Sequence, residues 1–167
     1  MGLAATRTIH RIVIDPNNSD VVYVAAMGSI WGPNEERGVY KTTDGGKTWN
    51  RILFTNNLSG CAELIMDPNN PNKMFAAMWE YRRKPYHFNS GGPGSGLFMT
   101  IDGGKTWKRL GQKEGLPEGP LGRLGLGIAT NKAWASPPIS PTGYMPLWKA
   151  KPLTSLPATT ADIPGKK

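Results

Sequence analysis

Apolar residues in this chain fall in short runs separated by breaks of Asp, Asn, Pro and Gly. The first four runs are Arg11 to Ile14, Val21 to Met27, Gly38 to Thr42 and Trp49 to Phe54, rich in the β-branched and aromatic residues that suit strands. The breaks carry turn chemistry. In Asp15-Pro16-Asn17-Asn18 proline presets φ, in Asp44-Gly45-Gly46-Lys47 glycine supplies positive φ, and Asp or Asn folds back onto nearby amides. No stretch of useful length keeps a helical period of apolar residues, so four short antiparallel strands are predicted.

The same set then returns. Ile12 to Asn18 matches Leu64 to Asn70, and Val22 to Met27 matches Met74 to Trp79. The octapeptide Thr42-Thr43-Asp44-Gly45-Gly46-Lys47-Thr48-Trp49 recurs as Thr100-Ile101-Asp102-Gly103-Gly104-Lys105-Thr106-Trp107. Asp67 follows Asp15 by 52 positions and Asp102 follows Asp44 by 58, so the second copy carries six extra residues before its octapeptide. Four antiparallel strands recurring at about 50 residues predict a propeller blade. The expected fold is all-β: about two four-stranded β-propeller blades plus the start of a third, followed by an irregular C-terminal tail. The boundaries read as a lead-in over 1–10, one blade over 11–59, another over 60–110, a loop and the start of a third over 111–130, and the tail over 131–167.

Both octapeptides fit Ser/Thr-x-Asp-x-Gly-x-Thr-Trp at every fixed position. This resembles the Asp box, or BNR repeat, of sialidases, family 74 glycoside hydrolases, sortilin-type receptor propellers and photosystem II assembly-factor propellers. Gly28 to Trp49, with its Trp-Gly-Pro-Asn-Glu-Glu-Arg run, looks most like large secreted bacterial Asp-box proteins of glycosyl hydrolase-like or sortilin-like type. The resemblance spans roughly residues 7 to 128 and implies an extracellular or periplasmic parent protein. It is specific for the fold and says little about activity.

An Asp inside a repeated motif invites a catalytic or metal-binding reading, but a catalytic group is needed once per site and a structural group once per blade. Thr42, Asp44, Gly46, Thr48 and Trp49, with Thr100, Asp102, Gly104, Thr106 and Trp107, are therefore expected to be architectural. The carboxylates would accept amides across the turn, and the tryptophans would pack between blades. Function is expected elsewhere. In an up-and-down sheet the Asp15 to Asn18 turn shares one end with the octapeptide, and the other end takes every long loop: Gly28 to Arg37, Asn56 to Cys61, Glu80 to Ser95 and Gly111 to Gly122.

Those loops offer Trp31, Glu35, Glu36 and Arg37 from the first copy and Trp79, Glu80, Tyr81, Arg82, Arg83, Tyr86 and His87 from the second. Aromatic platforms beside charged groups suit a saccharide, since ring faces stack on sugars while charges orient hydroxyls; the same set would grip a peptide. The ligand-binding candidates are Trp31, Glu35, Arg37, Trp79, Glu80, Tyr81, Arg82, Tyr86 and His87. Each has a plainer reading. The two tryptophans follow strands and would equally cap the inter-blade core, Glu35-Glu36-Arg37 would be a solvated turn, and Arg82-Arg83-Lys84 ordinary surface charge. Adjacent carboxylates on an extended chain point apart, which weakens them as an acid and base pair. No residue matches a family 74 catalytic aspartate or the arginine triad and tyrosine of sialidases. No catalytic group is assigned, and a glycoside hydrolase parent remains the alternative to a recognition scaffold for a glycan or protein.

Composition narrows the partners. Of the net charge of +8, residues 1–130 hold +4, and no basic stripe interleaves with stacking aromatics, which argues against nucleic acid. His10 and His87 are isolated and Cys61 is alone, so neither a metal nor a cofactor is expected. Gly91-Gly92-Pro93-Gly94-Ser95-Gly96 lacks the Lys-Ser/Thr ending of a phosphate loop. No segment is long and apolar enough to span a membrane. Met1 precedes a run already heading into a strand, so the natural N-terminus is expected further upstream.

After Ile128 the pattern stops, and seven prolines follow Ala135. As protein this reads as a disordered tail. Joining each codon's third base to the next two gives a second reading, because Leu156 to Gly165 then permit Thr-Ser-Asp-Asp-Gly-Gly-His-Thr-Trp, a third octapeptide at the correct distance. That points to a frameshift near Ala129 to Ala135. In either case two blades and a partial third cannot close a ring, and the chain alone is expected to be unstable or prone to aggregate.

Overall fold

A computed structural model describes residues 2–129 and 132–135. The chain there is all-β. Strands β1 (Ile9–Asp15), β2 (Asn18–Ala26), β3 (Gly38–Thr42) and β4 (Asn50–Leu53) form one antiparallel sheet in that order. Strands β5 (Ser59–Asp67), β6 (Asn70–Lys84), β8 (Gly96–Thr100) and β9 (Lys108–Leu110) form a second, with β7 (His87–Ser90) pairing only to the far end of β6. A hairpin of β10 (Leu126–Ala129) and β11 (Lys132–Ala135) follows. Pairing thus continues four residues into the segment expected to be irregular. The proposed hidden octapeptide lies outside the described residues.

The repeat holds down to register. Ile12 pairs Val24 and Ile14 pairs Val22 in the first sheet, while Leu64 pairs Ala76 and Met66 pairs Met74 in the second. The bulges recur too, between Ile9 and Arg11 and between Cys61 and Glu63. A bulge opposes two residues to one, so its recurrence fixes which side chains reach each face.

Period-two alternation then builds the core. Tyr23, Ala25, Val39 and Leu53 from the first sheet pack against Leu64, Met74, Ala76 and Met78 from the second. The second sheet turns Phe75, Ala77, Leu97 and Leu110 the other way, where Leu121 and Leu124 cover them. On the outer face of the first sheet, Val24, Ala26 and Tyr40 are buried with Leu3, Val22 and Trp49 around them. That cover is incomplete: Ile12 is 59% exposed, whereas Leu64, at the same repeat position, is 1% exposed. Leu64 has a sheet against it and Ile12 does not.

The six extra residues go into a hairpin. The segment from Glu80 to Ser95, expected as a loop, instead carries β6 on to Lys84 and back through β7, with Tyr81 opposite Ser90 and Arg83 opposite Phe88. Backbone pairing satisfies this arm's amides and carbonyls although nearly every side chain on it faces water. The fourth connection, Gly111 to Gly122, contains one short 3-10 turn at Gln112–Glu114.

Candidate functional site

At one end of both sheets lie the octapeptide turns. In the first, the Thr42 hydroxyl donates to Asp44 Oδ1 at 2.6 Å and accepts the Gly46 amide at 2.9 Å. Asp44 also accepts the Lys47 amide at 2.9 Å and the Thr48 hydroxyl at 2.6 Å. The second repeats this: Thr100 donates to Asp102 at 2.7 Å and Thr106 to the same carboxylate at 2.6 Å. Consecutive glycines make the turn possible, since Gly45 and Gly46 have φ of 70° and 89°, and Gly103 and Gly104 have 71° and 88°. The hydroxyls of Thr42 and Thr48 hold the Asp44 carboxyl well below the usual range. Burial pulls Asp102 upward, but the Thr106 hydroxyl and amide with Thr100 outweigh it and leave that group low as well. Both groups stay ionised at ordinary pH and have no proton to give as general acids.

These turns also tie the repeat together. Gly45 N donates to Asp20 O at 3.0 Å and Gly103 N to Asn72 O at 2.9 Å, locking each octapeptide onto the start of the second strand of its own sheet. Across the sheets, Lys41 Nζ donates to Gly103 O at 3.0 Å. Trp107 lies against the inter-sheet core and Trp49 against the outer face of the first sheet. In both motifs the Asp carboxylate, the leading Thr hydroxyl and the two Gly amides are engaged within the turn or with the adjoining strand, whereas the ligand-binding candidates lie at the other end.

There, the alternation of β6 puts Trp79, Tyr81 and Arg83 on one face of the extended strand, and the pairing adds Phe88 and Ser90 to it. Trp79 and Tyr81 stack with ring centroids 4.7 Å apart and an interplanar angle of 19°. Phe88 meets Trp79 edge-on at 6.0 Å, and Trp79 Nε1 donates to Ser90 Oγ at 3.1 Å. With Met27, Ile30, His10 and Arg83 these rings line a cleft of about 210 Å³ between the sheets. A more open hollow of about 410 Å³ follows along the hairpin tip, from Arg83 to Phe88.

The other sequence candidates divide among distinct places. Arg37 is only 1% exposed, and its guanidinium donates to the carbonyls of Met27, Ser29 and Gly32. It also sits 5.2 Å from the centroid of the Tyr81 ring, and burial lowers its pKa while Tyr81 opposes that shift. Glu80 turns away from the cleft, accepting from Asn56 Nδ2 at 3.2 Å and the Gly94 amide at 3.1 Å. Glu35 accepts from Asn57 Nδ2 at 2.9 Å. Glu36 accepts from the Tyr40 hydroxyl at 2.6 Å, and burial together with that carboxylate pushes Tyr40 up to about 12. Trp31 is 68% and Tyr86 100% exposed, and Arg82 and His87 are exposed on the arm.

His10, Ile30, Phe88 and Arg123 were absent from the sequence candidates. Ile30 reaches the cleft through a loop whose carbonyl accepts the Arg83 amide at 3.3 Å. Arg123 lies over the Trp79 ring at 5.7 Å. Of these, only Phe88 left a trace, as the second half of an alternating Trp79-x-Tyr81 pattern interrupted by Pro85. Among the described residues no group of three His, Cys, Asp or Glu is placed to hold a metal ion. Nor, among them, is any helix long and apolar enough to cross a membrane.

No family model matches the chain. A probable oligoxyloglucan-reducing end-specific xyloglucanase from Neosartorya fischeri is 34% identical over 96 residues, covering 54% of this chain and 10% of that relative. The crystal structure of an ancestral GH74 enzyme aligns with a TM-score of 0.52 and 15% identity, over 76% of this chain and 16% of its own. The chain is an all-β segment of propeller fold, similar to glycoside hydrolase-like proteins of which it spans a small part.

Proposed function

We propose that this chain is two consecutive blades and the start of a third from an Asp-box β-propeller, and that its long-loop end recognises a glycan. The carrying observation is the cleft itself: Trp79, Tyr81 and the half-exposed Phe88 gather aromatic surface at the end where the long connections meet. Aromatic surface of this kind anchors ligands at small cost in side-chain entropy. The octapeptides set strand register and leave this end free to vary. The intact parent is placed outside the cytoplasm by the same reading.

A glycoside hydrolase parent is the second reading, favoured by the xyloglucanase likeness. Hydrolysis needs two carboxyl groups across the sugar. Glu35, Glu36 and Glu80 are each held by a neighbouring donor, and no carboxylate lines the cleft, so the 167-residue chain itself is expected to bind without cleaving. Affinity electrophoresis against a panel of plant and bacterial polysaccharides tests both readings. At least one polysaccharide should retard the chain with no new reducing ends, and Trp79→Ala should weaken that retardation roughly tenfold, the equivalent of about 1.4 kcal/mol. Retardation by none, or equal retardation of the variant, would contradict recognition at this cleft; released reducing ends would favour the hydrolase.

A further inference from the structure

The cleft and the hairpin hollow share Arg83 and Phe88, so they form one continuous track rather than two pockets. Its lining is one-sided in charge. Arg83 and His10 line the cleft on the Trp79 face of the arm, Lys84 and His87 line the tip from its opposite face, and neither part is lined by an Asp or Glu. Two further guanidiniums act through the rings: Arg37 lies 5.2 Å from the Tyr81 centroid and Arg123 5.7 Å from that of Trp79. The nearby carboxylates are turned aside. Glu80 accepts from Asn56, Ser59 and the Gly94 amide, and Glu63 accepts from Arg11 at 2.8 Å with Arg123 at 4.0 Å.

We propose that this track selects a saccharide bearing carboxylates, a uronate oligomer, over a neutral glucan. The inference rests on the glycan reading above and adds the charge of the ligand. A neutral sugar would use the apolar lining and leave the Arg83 cation in the cleft without a partner. A uronate uses both, with its ring against the half-exposed Phe88 and its carboxylate beside the Arg83 guanidinium, which can hold it by two parallel N–H donors. The Arg37 charge is fixed by three carbonyls and cannot swing out, so it contributes a standing positive potential beneath Tyr81.

The test is calorimetric titration of the full chain with three probes: an oligogalacturonate, a neutral xyloglucan oligosaccharide and an oligoglutamate of similar charge. The oligogalacturonate should bind most tightly, and raising the salt should weaken it. Arg83→Gln removes a charge-assisted hydrogen bond and should weaken it roughly tenfold or more. Lys105→Gln makes the same change of charge at the octapeptide end, and should leave binding unaltered. Both residues are exposed, so packing is undisturbed in either variant. Equal or tighter binding of the neutral oligosaccharide would overturn the charge selection and leave the glycan reading standing. Equal binding of oligoglutamate, or equal losses in the two variants, would reduce the track to general electrostatics and overturn the proposal. Binding of none of the three would take down the glycan reading along with it.

Discussion

Gly60→Leu should leave little folded protein. A Cβ at Gly60 would stand 2.3 Å from the Met27 carbonyl oxygen and 2.5 Å from its Cα, both backbone atoms that no rotamer change can move. Here the start of β5 crosses the end of β2, and the two sheets come within reach of each other because position 60 has no side chain. Relief requires the sheets to part, which opens the core of Tyr23, Leu64, Met74 and Met78 to water. Overpacking alone costs about 1–3 kcal/mol, and exposing two or three such side chains adds about 2 kcal/mol each. Complete domains hold roughly 5–15 kcal/mol, and a piece with an open sheet face holds less, so the sum is large enough to unfold the chain. Gly32→Ala is the control, because a Cβ there meets nothing within 4 Å. Circular dichroism at low temperature should show Gly32→Ala with the strand signal of the parent and Gly60→Leu with most of that signal lost. Similar spectra of the two variants would mean that the sheets are not packed as described.

Arg37→Met should be nearly as damaging, and for a reason unrelated to ligand. The guanidinium closes the Gly28 to Arg37 loop by donating to the carbonyls of Met27, Ser29 and Gly32, all from a side chain withdrawn from solvent. Methionine fills much of the volume but leaves the buried Met27 carbonyl unmet, at about 1–3 kcal/mol, and two part-buried carbonyls that cost less, together with the open loop they had closed. A net loss of roughly 3–5 kcal/mol is expected in denaturant unfolding. Lysine should not rescue it, since one ammonium on a flexible stem cannot serve three carbonyls in a planar fork. A variant of unchanged stability would return Arg37 to the surface, as a group available to ligand.

Much of the fold was legible because its signals are local. Asp-Pro-Asn-Asn and Asp-Gly-Gly-Lys announce turns from their own chemistry, and alternation of apolar residues between them gives strands and faces. Comparing copies added register, since Leu64 stands where Ile12 stood. The arm from Glu80 to Ser95 was read as a loop because Arg82, Arg83 and Lys84 make both faces polar, so no alternation survives to mark a strand held only by backbone pairing. Arg37 was misplaced for a related reason. In Glu35-Glu36-Arg37 the three charges look alike, and only the folding of residues 28–32 around one of them distinguishes a buried guanidinium from two half-solvated carboxylates. The cleft was half legible: Trp79 and Tyr81 were in view, while His10, Ile30 and Arg123 come from three other elements that only tertiary structure brings to them.

The exposed outer face of the first sheet bears on the same account. Ile12 and Ile14 are 59% and 56% exposed, yet Leu64 and Met66 take part in the core at the equivalent positions. The same repeat face is thus covered by a sheet in one copy and open in the other. The inter-sheet core holds the two sheets together, while the open apolar face lowers the stability of the chain taken alone.

On the proposed function the two ends divide the labour: structure at the octapeptides, recognition at the long loops. Amide hydrogen exchange read by mass spectrometry, with and without a retained oligosaccharide, tests it most directly. Ligand should slow exchange in residues 28–32 and 79–91 and leave 42–49 and 100–107 unchanged. Protection confined to the two octapeptide turns would contradict the account.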